Sequence, residues 1–189
     1  MMLFNEPLHK VASGAAAVLK RGGIIAYPTE AVYGLGCDPS NKAAVLRLLE
    51  LKQRPVEKGL ILIATERSQL EMFIDPAVFD LYPDVTASWP GPFTWLMPCR
   101  ADTPTWLRGN HDTLAVRVTA HSLSAGLCKN FGSALVSTSA NPGSLPPALT
   151  ADEVRKYFDE QLDAIIEGDT GGLATVSSIR DARSGRQIR

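Results

Sequence analysis

Apolar positions along the chain change period repeatedly between about 3.6 and 2, and most changes fall at glycine or proline. Residues 8–21 read as an amphipathic helix stopped by Gly22-Gly23, with a short strand from Ile24 to Tyr27 after it. Ser40 or Asn41 caps a second helix, in which Ala44, Val45, Leu48 and Leu49 recur at helical spacing until Pro55 forbids much extension. The continuous run at 60–64 reads as a buried strand, and helices are expected over about 66–74 and 76–87. Past the turn Trp89-Pro90-Gly91-Pro92 come strands at 93–97 and 114–118, a helix over 122–131 that ends at Gly132, and a strand at 134–139. Thr150-Ala-Asp-Glu153 is a capping box that opens a helix to about residue 158, and strands are expected at 163–167 and 175–179. Interleaved helices and strands without an internal repeat or linker predict one α/β domain over residues 1–189.

Composition narrows the class. At 189 residues with 45% hydrophobic and 21% charged, the chain is long enough to bury a substantial core and too apolar for disorder. Its apolar runs fall far short of the roughly 20 residues of a membrane helix, and the first residues show no charged-then-apolar leader, so a cytoplasmic protein is expected. Cys37, Cys99 and Cys128 lack CxxC spacing, which points to reduced thiols and away from a disulfide or zinc framework. The net charge is −1, yet positive residues cluster at Arg47, Lys52, Arg54 and Lys58 and again in the tail from Arg180 to Arg189. A basic site on a near-neutral body suits a ligand that carries phosphate.

Three stretches carry candidate chemistry. Lys52 and Arg54 flank the end of the second helix, where Pro55 pushes Arg54 out of helical geometry, so both can face one polyphosphate; equally, they can be solvated charges complementing the helix dipole. In Val136-Ser137-Thr138-Ser139-Ala140-Asn141, period-two alternation puts Ser137, Ser139 and Asn141 on one face at a strand end, either as a binding row or as small residues before an Asn-Pro-Gly turn. Arg117 projects from the apolar strand 114–118 and needs a partner, either a protein carboxylate or that of a ligand. The chain has no GxxxxGK[ST], GxSxG or HExxH motif, and His9, His111 and His121 have no metal-ligand spacing. Catalysis would therefore rest on positioning and charge stabilisation, with no metal held by protein side chains.

The segments YPTEAVYGLGCDP, KQRP, KGLILIA, PGPFTWLMP, LAVRVT, STSAN and SSIRDA stand in the order of the YrdC/TsaC family, the threonylcarbamoyl-AMP synthases, over about residues 10–182. The chain resembles the short bacterial form. That resemblance implies a twisted mixed sheet with flanking helices and a concave, positively charged cavity. It also implies a nucleotidyltransferase that combines L-threonine, bicarbonate and ATP with Mg2+ into threonylcarbamoyl-AMP and pyrophosphate. Partner proteins then transfer the threonylcarbamoyl group to tRNA beside the anticodon. On this resemblance Lys52 and Arg54, as the catalytic pair, bind ATP together with Ser139 and Asn141, while Thr29, Arg117 and Ser137 bind threonine. The glycines of the first segment would bring backbone close to the ligand. Ile63 stands where longer relatives have a histidine, and Ser144 follows Pro-Gly in place of the usual Ser-Gly. Two alternatives are a non-catalytic module binding double-stranded RNA or tRNA, which the net charge disfavours, and a carbamoyl-transfer domain, whose usual companion segments this chain lacks.

Overall fold

The computed structural model describes residues 2–4, 8–175 and 177–189, with backbone alone at residues 2–4, 8, 9 and 159. In chain order the elements are β1 (Met2–Phe4), α1 (Leu8–Lys20), β2 (Ile25–Pro28), β3 (Tyr33–Gly36), α2 (Lys42–Leu51), β4 (Ile61–Ala64), α3 (Pro76–Asp80) and α4 (Pro83–Ala87). After them come β5 (Phe93–Pro98), α5 (Thr105–Arg108), β6 (Thr113–Val118), α6 (Ser122–Phe131), β7 (Leu135–Ser139), α7 (Ala151–Phe158), β8 (Ala164–Ile166) and β9 (Ser178–Asp181). Among the described residues all the strands join one mixed sheet in the order β1-β8-β2-β3-β7-β4-β6-β5-β9.

Local chemistry sets most of these bounds. Asn41 is the cap of α2, its side chain accepting from Ala44 N at 3.1 Å. Gly132, at φ 89°, takes the left-handed conformation that ends α6. At α7 Thr150 Oγ1 accepts from Glu153 N, while the Glu153 carboxylate reaches past Thr150 to Leu149 N at 2.6 Å, a looser version of the capping box. Where one helix was expected over 76–87, Pro83 splits it into α3 and α4, because proline starts a helix readily but cannot continue one. The stretch 66–74 forms only a 3-10 turn at Arg67–Leu70. The final strand lies at 178–181, later than the expected 175–179, and Val176 is outside the described residues.

Strand β3 was not anticipated. It pairs antiparallel with both β2 and β7 and so links the two halves of the sheet. Its glycines permit close approach: a Cβ on Gly36 would lie 2.8 Å from Tyr27 Cε1 and 2.8 Å from the Val136 carbonyl, and one on Gly34 would lie 3.2 Å from Thr29 Cγ2. The crowding at Gly36 comes from neighbouring strands, so that glycine serves the sheet and not a ligand.

Alternation divides the core into two layers. Ala26, Leu35, Leu62, Val116 and Val136 turn to one face and pack with α2 and α7 residues such as Leu48 and Val154. Ile25, Tyr27, Ile63 and Leu135 turn to the other, under Val11, Ala15 and Leu19 of α1 and Leu123 and Leu127 of α6. On that second face the neighbours two residues along the same strands, Ile61 on β4 and Ser137 on β7, line a cavity. The site is thus the part of the sheet face that α1 and α6 leave uncovered.

Candidate active site

The cavity has a volume of about 620 Å3, within the size range of small-molecule sites. β6 contributes Thr113, Ala115 and Arg117, its face opposite to the core residues Leu114, Val116 and Val118, as alternation predicts. The turn between β2 and β3 contributes Thr29 and Glu30. It is tied by Thr29 N and Thr29 Oγ1, both donating to the Val32 carbonyl, at 3.0 and 2.7 Å. Ser137 stands close to Gly34, where a Cβ would come within 3.5 Å of its Oγ, so the missing side chain keeps Thr29 and Ser137 on a common wall.

The Lys52/Arg54 pair does not point one way. Gln53 between them has φ 50°, in the left-handed region, which turns the chain and sends the two side chains apart. Arg54 lines the cavity, its Nε and Nη2 donating to the Gly59 carbonyl at 3.2 and 2.9 Å. Lys52 goes behind the wall. Its buried ammonium donates to the Ser139 carbonyl, to the Asn141 carbonyl at 2.9 Å and to Asn141 Oδ1 at 3.2 Å. Burial, and after it the Arg54 charge, lowers the Lys52 pKa from 10.5 to about 8. The Ser139/Asn141 pair divides in the same way: Ser139 lines the cavity and donates to Asn141 Oδ1 at 2.6 Å, while the Asn141 amide nitrogen is used on the Leu145 carbonyl at 2.7 Å. Lys52 and Asn141 therefore brace the turn that presents Ser139.

Arg117 has a protein partner. Its Nη2 lies 3.1 Å from Glu30 Oε2, and both residues are buried. Thr119 Oγ1 donates to the other Glu30 oxygen at 2.6 Å. Ile63 is fully buried in the layer under α1 and α6, and Ser144 is exposed on the turn after Asn141.

Residues that spacing did not single out complete the wall. The tail after β9 folds back through Gly185, at φ 68°, with Ile188 N donating to the Ile179 carbonyl at 2.7 Å. This brings Arg189 to the wall of the cavity, which Lys58 also lines. Partial burial, then the charges of Arg117 and Arg54, lowers the Arg189 pKa. The glycine within the arginine tail was the signal for that turn. Ser177, which also lines the cavity, carried none.

Comparison with known proteins matches this arrangement to one family. The Sua5/YciO/YrdC family model, described as "Telomere recombination", matches residues 17–189. Threonylcarbamoyl-AMP synthase of Halorhodospira halophila is 54% identical over 175 residues, 93% of this chain and 92% of that protein. The enzyme of the same name from Nitrosococcus oceani is 53% identical over 93% of this chain and 95% of its own length. Among solved structures, P. abyssi Sua5 complexed with L-threonine superposes with a TM-score of 0.87 at 28% identity over 98% of this chain, which spans 54% of that protein. E. coli YciO superposes with a TM-score of 0.78 at 25% identity over 95% of this chain and 87% of its own. By family model, sequence identity and fold alike, the chain belongs to the Sua5/YciO/YrdC family.

Proposed function

We propose that this chain is a threonylcarbamoyl-AMP synthase, a nucleotidyltransferase that joins L-threonine, bicarbonate and ATP and releases pyrophosphate and water. The observation that carries this reading is one cavity lined both by cations and by hydroxyl-bearing side chains, in a chain about half identical to proteins of that name. Of its lining residues, Arg54, Lys58, Arg189 and the Ser139 hydroxyl are suited to phosphate oxygens. Thr29, Ser137 and Arg117 are suited to the hydroxyl and carboxylate of threonine.

In this reading the guanidinium of Arg117 occupies the threonine carboxylate. The oxygen that attacks the α-phosphate then belongs to the carbamate formed from the threonine amine and bicarbonate. Arg54, Lys58 and Arg189 stabilise the charge that grows on the departing pyrophosphate. Lys52 and Asn141 act from behind by fixing the backbone at Ser139. No group of three or more His, Cys, Asp or Glu side chains that could hold a metal exists among the described residues, and the residues read here as phosphate-binding are cations and a hydroxyl. Those residues do not make a magnesium cage, so Mg2+ enters with the triphosphate as part of the substrate. Partner proteins in the cytoplasm would pass the product's threonylcarbamoyl group to tRNA. No helix among the described residues is long and apolar enough to cross a membrane.

Bicarbonate dependence separates this reaction from ordinary amino-acid activation, in which threonine's own carboxylate attacks ATP and pyrophosphate is released as well. Threonine-dependent ATP cleavage should collapse in carbonate-depleted buffer and recover with bicarbonate, with labelled carbon entering the adenylate. Full activity without bicarbonate, or an adenylate free of label, would exclude the carbamate route.

A further inference from the structure

Tyr27 carries a buried hydroxyl that the proposed reaction leaves unused. The residue is fully buried in the layer under α1 and α6, and its Oη has no hydrogen-bond partner of ordinary geometry among the described residues. Taking a phenol out of water without such a partner is unfavourable, and a phenylalanine ring would fill the layer equally well. Strand register shows where the hydroxyl goes. Tyr27 stands opposite Gly34 on β3. Gly34 and Leu35 stand opposite Ser139 and Thr138 on β7, and Val136 N donates to the Cys37 carbonyl at 3.0 Å, so Gly36 stands opposite Ser137. Tyr27, Gly36 and Ser137 therefore share one face across three neighbouring strands. Because Gly36 has no side chain, the phenol crosses β3 above it: a Cβ there would lie 2.8 Å from Tyr27 Cε1 and 3.3 Å from Tyr27 Oη. The hydroxyl is thereby carried toward Ser137, whose side chain lines the cavity. Burial pushes the Tyr27 pKa up, and the Ser137 hydroxyl is the first group that pulls it back.

We propose that Tyr27 is a positioning residue whose Oη donates to Ser137 Oγ from under the floor of the cavity. The proposal rests on the threonine reading above, in which Ser137 meets the substrate. A turn of the Ser137 side chain as substrate binds closes the bond. A serine hydroxyl has one proton and two lone pairs. Once its oxygen accepts from the phenol, its own proton points into the cavity, and Ser137 meets the substrate as a donor. Burial holds the phenol in its protonated form, so the direction of this bond is fixed. Tyr27 touches no substrate itself; it acts through Ser137, across a strand that only a glycine leaves open.

The test measures by calorimetry the affinity of the full chain for ATP, and for L-threonine with a non-hydrolysable ATP analogue present, in wild type, Tyr27→Phe, Ser137→Ala and the double variant. Tyr27→Phe keeps the ring, so the thermal midpoint should stay near that of the wild type and ATP affinity within about two-fold, while threonine affinity falls about three- to ten-fold. In Ser137→Ala the phenol has nothing to position, so adding Tyr27→Phe should change threonine affinity by less than about two-fold. Wild-type threonine affinity in a folded Tyr27→Phe protein overturns the proposal, and so do effects of the two substitutions that multiply. A second measurement does not depend on that variant. With tyrosine labelled at the ring carbon that bears the hydroxyl, one of the four tyrosine signals should shift between wild type and Ser137→Ala when threonine and the ATP analogue are bound. Four unmoved signals overturn the proposal even where Tyr27→Phe fails to fold. A wild-type protein that binds no threonine would instead remove the functional reading, with the labelled spectra left to decide the contact.

Discussion

Lys52 and Arg54 are two residues apart and both cationic, but they should fail differently when removed. Arg54 faces the cavity, so Arg54→Ala should weaken ATP binding about ten- to a hundred-fold while leaving thermal stability near that of the wild type. Lys52 satisfies buried carbonyls, so Lys52→Met should lower the free energy of unfolding by about 1–3 kcal/mol as well as weaken nucleotide binding. The pH dependence adds a sign. The folded-state pKa of Lys52, about 8, lies below the unfolded value of 10.5. Between these two values the unfolded chain holds a proton that the folded chain has released. The stability contribution of this group therefore rises with pH across that window and is flat below it. Denaturant titrations should show the gain in the wild-type protein and not in Lys52→Met. Calorimetry should show nucleotide affinity moving the opposite way as the ammonium charge is lost.

At the level of elements, β3 decides whether the sheet is continuous, since it is paired to β2 on one side and β7 on the other. Its sequence Tyr-Gly-Leu-Gly hides it: two glycines lower strand propensity, and the stretch is too short to display a clear alternation. Packing shows what the glycines do. A methyl group at Gly36 meets the Tyr27 ring and a backbone carbonyl at 2.8 Å, neither able to give way cheaply, whereas at Gly34 the nearest atom, the Thr29 methyl, lies 3.2 Å away and has to give only a few tenths of an ångström. Gly36→Ala should therefore destabilise the protein by about 1–3 kcal/mol in urea unfolding, and clearly more than Gly34→Ala does. Equal effects of the two substitutions would show that the strand tolerates crowding from its neighbours.

Across the whole molecule, charge is concentrated and not abundant. The net charge is −1, yet Arg54, Lys58, Arg108, Arg117 and Arg189 all border one cavity. That distribution favours a small anionic ligand drawn into a concave site over a long nucleic-acid backbone, which needs many phosphates neutralised at once. ATP consumption with threonine and bicarbonate should accordingly proceed without tRNA, and any RNA affinity should drop steeply between low and physiological salt. An absolute requirement for tRNA in pyrophosphate release would contradict that division of labour.

Periodicity in the chain was enough to place α1, α2, α6 and β4 to β7 close to their observed bounds, because those segments are set by caps, glycine stops and alternation, all local. The same alternation placed Arg117 and Ser137 on the cavity-lining sides of their strands, and the order of short motifs pointed to the family. Which cations meet in the cavity was not legible in that way. Lys52 leaves it because Gln53 is left-handed, Arg189 enters it because the tail doubles back on β9, and Arg117 meets Glu30 from 87 positions away along the chain. Each of these depends on where separate elements come to lie against one another. Local sequence sets helices and strands through neighbours a few residues apart, while a site is made by contacts whose partners only the packed sheet brings within reach.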